Sequence, residues 1–116
     1  MRVIFTSIFL LLVLAGCATP NIEYYYGKYS ATAYKRIKDQ TPKSLAAHKD
    51  TLETIIEKSN KKNLRVPPGI YCEYGYILAQ EEDPNANNYF ALEIKTYPES
   101  ETFVSFVRSQ LDIGSK

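Results

Sequence analysis

The sequence predicts an all-α protein of about five helices in antiparallel hairpins, and three observations carry that prediction. Apolar residues recur at three- and four-residue steps in one segment after another, the spacing that lines one face of a helix. Prolines at 42, 84 and 98 fall where those segments begin or end, at positions a helix tolerates or is stopped by. No stretch alternates apolar and polar residues convincingly enough for a half-buried strand.

The first helix is expected from Tyr24 to Lys38, with Tyr26, Tyr29, Ala33 and Ile37 on its apolar face. Gly27 weakens its early part. Thr41 then supplies an N-cap oxygen and Pro42 a first helical residue. The second helix runs to about Lys62, with Leu45, His48, Leu52, Ile55 and Ser59 along one stripe and Ile56 beside it. Lys58, Lys61 and Lys62 crowd its end, where cations favour the helix dipole. Pro67-Pro68 stiffen a linker over 63–69 and push Val66 out of helical conformation.

A third helix is expected over Gly69–Glu82 and a fourth over Pro84–Tyr97, opened by Asp83-Pro84 and closed by Pro98. The fifth starts at Glu99 and Ser100, with Phe103, Phe106, Val107 and Leu111 on one side. Residues 114–116 should fray. The helical domain therefore spans 24–113.

Ahead of it lies a different kind of segment. Arg2 precedes an apolar run from Val3 to Val13, which ends in Leu14-Ala15-Gly16-Cys17. A charged start, an apolar stretch and small residues before a cut make a secretion leader. A spanning helix would need about 20 apolar residues, and Thr6, Ser7 and Thr19-Pro20 interrupt this run. A plain secretory leader has no use for the cysteine. Leu-Ala-Gly-Cys resembles the lipobox of bacterial lipoproteins. That resemblance implies a leader over 1–16, a cut between Gly16 and Cys17, and a diacylglycerol on the Cys17 thiol with an acyl chain on its new amine. Ala18 stands where an aspartate would retain the product in the inner membrane, so the resemblance implies the outer membrane, facing the periplasm. Residues 17–23 are then a lipidated tether of at most about 20 Å beyond the lipid.

The chain carries 14 basic and 13 acidic side chains, and Arg2 is the only one of them in the leader. The remainder balances, which gives no electrostatic reason to expect nucleic acid. With Cys17 committed to lipid, Cys72 has no mate within the chain, so it is buried or bridged to another chain. Ten tyrosines and no tryptophan suit thin cores and contact surfaces alike.

The third and fourth helices carry a repeat-like pattern. Tyr71, Tyr74-Gly75, Leu78, Ala86, Phe90 and Pro98 resemble one tetratricopeptide hairpin, in which small residues let two helices approach. The departures are Tyr71 for tryptophan, a short turn, and Glu93 where a small residue is usual. Glu93 is therefore expected to face a partner or a basic side chain rather than the core. Gly27-Lys28-Tyr29 echoes the pattern weakly.

Over nearly the whole domain the chain also resembles an uncharacterised family of small bacterial outer-membrane lipoproteins. The stretches that carry this are Tyr24-Tyr25-Tyr26-Gly27-Lys28-Tyr29, Val66-Pro67-Pro68-Gly69-Ile70-Tyr71, Glu73-Tyr74-Gly75-Tyr76 and Tyr97-Pro98-Glu99-Ser100. Members are often encoded beside a lipoprotein resembling the curli secretion channel and a third small lipoprotein. The resemblance implies a shared envelope complex and names no activity.

Catalytic candidates are few. His48 is the only histidine, too little for a zinc site of the usual composition. No phosphate loop or serine-nucleophile motif is present. A Cys72–His48 nucleophile pair is the one enzyme-like combination, and it lacks a third residue to orient the base. The plainer reading is a buried Cys72 and a His48 hydrogen-bonded to a tyrosine or a carbonyl. No metal or cofactor is expected.

A binding module fits better than an enzyme. Five helices make about two and a half hairpins, where roughly three repeats are wanted for a closed stack. An apolar end or groove should remain for another protein to cover. Tyr74, Tyr76 and Tyr89 are the expected exposed contacts, with Tyr24 and Tyr25 next. Tyr24 and Tyr25 could instead pack inside the first helix pair. The expected partners are the membrane, through the lipid, and other envelope lipoproteins or a second copy. A peptide or small ligand held in a helical groove is the alternative.

Overall fold

The chain is described here from a computed structural model, over residues 23–114. The leader, Gly16, Cys17 and the tether up to residue 22 lie outside the described residues, as do residues 115–116. Among the described residues the protein is all-α: α1 (Tyr29–Asp39), α2 (Pro42–Lys61), α3 (Ile70–Gln80), α4 (Ala86–Thr96), a 3-10 turn (Pro98–Ser100) and α5 (Glu101–Gly114), with no strand. No helix among them is long and apolar enough to cross a membrane.

Local chemistry specifies α2 most completely. Thr41 Oγ1 accepts from the Ser44 N–H and Ser44 Oγ from the Thr41 N–H, each at 3.1 Å, closing a capping box around Pro42. At the far end Asn63 turns left-handed at φ 54. The Leu64 N–H then reaches the Ser59 carbonyl at 2.8 Å and the Asn63 N–H that of Asn60 at 3.1 Å, the paired bonds that stop a helix. His48, Leu52, Ile55 and Ser59 form its buried stripe as expected, while Leu45 and Ile56 are only partly covered.

Successive helices pack in order, α1 on α2, α2 on α3 and α3 on α4, and α5 lies against both α3 and α4. The tightest approach is at Gly75. A Cβ there would sit 3.1 Å from the Ala86 carbonyl oxygen, 3.2 Å from Tyr89 Cβ and 3.3 Å from Phe90 Cδ1. Tyr71, Leu78, Ala86 and Phe90 are buried around it, as the small-residue pattern requires. The core continues through Leu52, Ile55, Ile77 and Val104, each large side chain contributing about 1.5–3 kcal/mol on burial.

Helix α4 starts at Ala86, later than Asp83-Pro84 predicts. Asp83 Oδ1 does not cap α4: it accepts from the Asn85 N–H at 2.8 Å in an Asx turn, and residues 84–85 form a turn ahead of the helix.

The terminal helices bear out only half of each expected face: Tyr29 and Ala33 on α1 and Val107 and Leu111 on α5 are partly covered. Gly27 takes φ 50, so the chain turns there and α1 begins only at Tyr29. No residue of α1 is fully buried. Tyr26 and Ile37, expected on its inner face, are 49% and 73% exposed; Tyr29, Thr32, Ala33 and Arg36 are its partly covered side. On α5, Val104, Val107 and Leu111 face the core, while Phe103 and Phe106 are 59% and 60% exposed. An interior helix can bury a wide apolar arc between two neighbours. Among the described residues α1 and α5 have helix neighbours on one side only, and the rotation of each is set by whichever contacts that side makes best.

Candidate functional site

The inward side of α1 is held by polar chemistry centred on Glu73 of α3. Its Oε2 accepts from the Tyr29 hydroxyl at 2.8 Å. Its Oε1 accepts from His48 Nε2 at 2.6 Å and from Arg36 Nη1 at 3.3 Å. Because a carboxylate receiving two other donors is acceptor-only, His48 Nε2 carries the proton in this contact. His48 Nδ1 meets Thr32 Oγ1 at 2.9 Å, and the Tyr29 ring lies 5.4 Å from the imidazole. Burial, then the hydrogen bond to Glu73, pushes the Tyr29 hydroxyl up to about 12. Three helices thus converge on one carboxylate. His48 is fully buried with both nitrogens occupied, which suits a clamp and leaves no route for substrate to its ring.

Glu73 also belongs to the wall of a groove of about 660 Å³ between α3 and α5. Gly69, Cys72 and Tyr76 line one side; Phe103, Phe106 and Val107 line the other. The surface is mostly apolar, and its two phenylalanines are the ones α5 leaves exposed. Cys72 is 3% exposed. Burial, then the nearby Glu93 and Glu73 carboxylates, pushes its thiol up to about 11, away from the thiolate a nucleophile needs. Cys72 is buried as the plainer reading expects, and no Cys72–His48 nucleophile pair forms: the partners of His48 are Glu73 and Thr32, in place of the tyrosine or carbonyl expected.

Glu93 corrects the expectation that it faces a partner or a basic side chain rather than the core. It is 2% exposed and accepts from the Gly69 N–H at 2.7 Å and the Cys72 N–H at 3.3 Å. The reason lies at the start of α3. Gly69 there takes φ 88, a conformation that favours glycine, and glycine has no oxygen with which to cap its own helix. Glu93 supplies that oxygen from α4, and its negative charge suits the helix N-terminus.

The tyrosines named from the sequence do not form one surface. Tyr74 is a correction, being 6% exposed where an exposed contact was expected. Its ring meets the half-buried Tyr89 edge-on at 4.7 Å, in a cleft between α2 and α4 of about 350 Å³. Tyr76 is half-buried on the opposite side of α3, in the α3–α5 groove. Tyr24 and Tyr25 are half-buried against the domain. The Tyr25 ring lies under the ammonium groups of Lys58 and Lys62 at 5.3 and 5.2 Å. Burial, then the neighbouring Tyr24 hydroxyl, raises the Tyr97 hydroxyl; Tyr97 itself donates to the Val66 carbonyl at 2.7 Å.

Sequence reasoning missed three features: the exposed Phe103–Phe106 edge, the Glu73 cluster and the Glu93 cap. Only the last had a local signal, an uncapped glycine opening a helix. Among the described residues no group of three or more His, Cys, Asp or Glu could hold a metal ion.

The family described as "Domain of unknown function (DUF4810)" matches residues 24–107, the part that holds α1 to α4, most of the groove, the half-buried Glu73 and the buried Glu93. No curated protein and no solved structure matches the chain. The chain belongs to the DUF4810 domain family.

Proposed function

We propose that this chain is an outer-membrane lipoprotein, moored by lipid on Cys17, that serves as a protein–protein adaptor or accessory subunit of an envelope complex. Its resemblance to lipoproteins encoded beside a curli-channel-like partner suggests a secretion-type complex. The observation that carries the adaptor reading is the apolar groove between α3 and α5, with Phe103 and Phe106 about 60% exposed at its edge. An aromatic edge of this kind favours a protein contact over bare solvent. Two and a half tetratricopeptide-like hairpins would leave such a surface for a partner to close.

Mass spectrometry of the native product tests the mooring: residue 17 should be N-terminal and carry a thioether-linked diacylglycerol. Detergent extraction after crosslinking tests the adaptor reading, and envelope lipoproteins should co-purify. An unlipidated residue 17, or crosslinked membranes yielding only monomer, overturns the respective half.

A second reading is favoured by the volume of the same groove. A peptide or small ligand could occupy it, oriented by Glu73, without any protein partner. That protein would behave as a monomer whose melting temperature rises with ligand. A thiol enzyme has less support, given the raised Cys72 thiol and the occupied His48.

A further inference from the structure

We propose that the open face of α5 is covered by α1 of a second copy, so that chains join head to tail. This rests on the adaptor reading and names the occupant of its surface. Among the described side chains, every exposed large apolar residue lies on a terminal helix or just before it. Tyr26, Tyr34 and Ile37 are at one end; Phe103 and Phe106 are at the other. Helices α1 and α5 do not touch each other, so neither patch covers the other within one chain.

Charge distinguishes the two patches. Residues 28–39 carry Lys28, Lys35, Arg36 and Lys38 against Asp39, whereas 98–112 carry Glu99, Glu101 and Asp112 against Arg108. Arg36 is engaged with Glu73. The exposed Lys35 and Lys38 flank Tyr34 and Ile37, and the exposed Glu99 and Glu101 lie just ahead of Phe103. Pairing like patches would set like charges together; pairing unlike patches sets lysines against glutamates. The outer face of α1 also has a depression of about 430 Å³ beside Ala31, Tyr34, Lys35, Lys38 and Asp39, room for a phenylalanine ring, with two lysines to one aspartate around it.

Size sets where the contact operates. With 11 residues, α1 is about 16 Å long, so one helix laid on another falls short of the roughly 800 Å² per partner of a standard stable interface. The contact is therefore weak between free domains and is strengthened when tethering raises the local concentration. Because unlike surfaces meet, each added copy leaves a fresh end, and the product is a ring or a row rather than a closed dimer.

Disulfide trapping of the full chain in cell membranes tests this with Ile37→Cys and Phe106→Cys, both at exposed positions, while the native Cys72 is buried. The double variant should give a ladder of dimers, trimers and larger species under mild oxidation. Either single variant alone should give none, and the two singles expressed together should give dimers only. Lys35→Glu with Lys38→Glu should abolish the ladder, and adding Glu99→Lys with Glu101→Lys should restore it. A single variant that crosslinks to itself overturns the head-to-tail arrangement, and so does charge reversal without effect. A missing ladder while another protein is still captured overturns this inference and leaves the adaptor reading standing. Loss of both overturns both.

Discussion

Replacing Glu93 by alanine should destabilise the domain by about 3 kcal/mol, and the structure says why. The carboxylate caps α3 from α4, receiving the Gly69 N–H at 2.7 Å and the Cys72 N–H at 3.3 Å in a site only 2% exposed. Each buried N–H left without a partner costs about 1–3 kcal/mol, the shorter bond near the top of that range and the longer near the bottom. Loss of a negative charge at the helix N-terminus adds roughly 0.3–1 kcal/mol. Against this, alanine no longer requires a carboxylate to be held out of water, which returns part of the sum. At about 4–8 °C per kcal/mol for a domain of this size, the melting temperature should fall by roughly 12–24 °C. Glu93→Gln keeps an oxygen for Gly69 but turns an NH2 toward the Cys72 N–H, so it should lie between parent and alanine. Thermal and urea melts followed by circular dichroism, on the chain lacking residues 1–16, give the comparison. If Glu93→Ala melts within a few degrees of the parent, the capping argument is wrong.

Other expectations are briefer. Gly75→Ala should destabilise by about 1 kcal/mol, because the gain in helix propensity of about 1 kcal/mol is outweighed by overpacking of about 1–3; a higher melting temperature would show that α4 can move away. Glu73→Ala should cost about 2–4 kcal/mol by leaving His48 buried without its acceptor. Amide exchange should then accelerate first in α1, and unchanged exchange there would refute the clamp. The raised Cys72 and Tyr29 groups each stabilise the fold fully below their ordinary values and lose that contribution as pH climbs through the folded ones. Stability should hold to about pH 9 and fall between about 9 and 12, with Cys72→Ala flattening the lower part of that fall. A fall beginning well below pH 9 would point to other groups.

The sequence made α2 legible almost to the residue, because its start and its buried stripe are written in neighbouring positions. Thr41, Pro42 and Ser44 act within one turn, and His48, Leu52 and Ile55 repeat at helical spacing. Gly75 was legible for a similar reason, since a small residue among aromatics signals a close approach. The α1 and α5 faces were not. Periodicity finds an apolar arc but does not say which side a neighbour occupies, and among the described residues both terminal helices have helix neighbours on one side only. Tyr74 was misplaced because a tyrosine reads alike as core or surface; its ring meets Tyr89, 15 positions along the chain.

From the sequence alone came the all-helical class, the helix order, the cap of α2 and the Gly75 contact, because each depends on spacing within a few turns. Folding in three dimensions decided the rest. Glu73 gathers Tyr29, Arg36 and His48 from two other helices, and Glu93 caps a helix whose N-cap, Gly69, lies 24 residues before it. A carboxylate drawn out of water is tolerable only where donors converge on it; the bare Gly69 signals a missing cap, but nothing local says which residue supplies it.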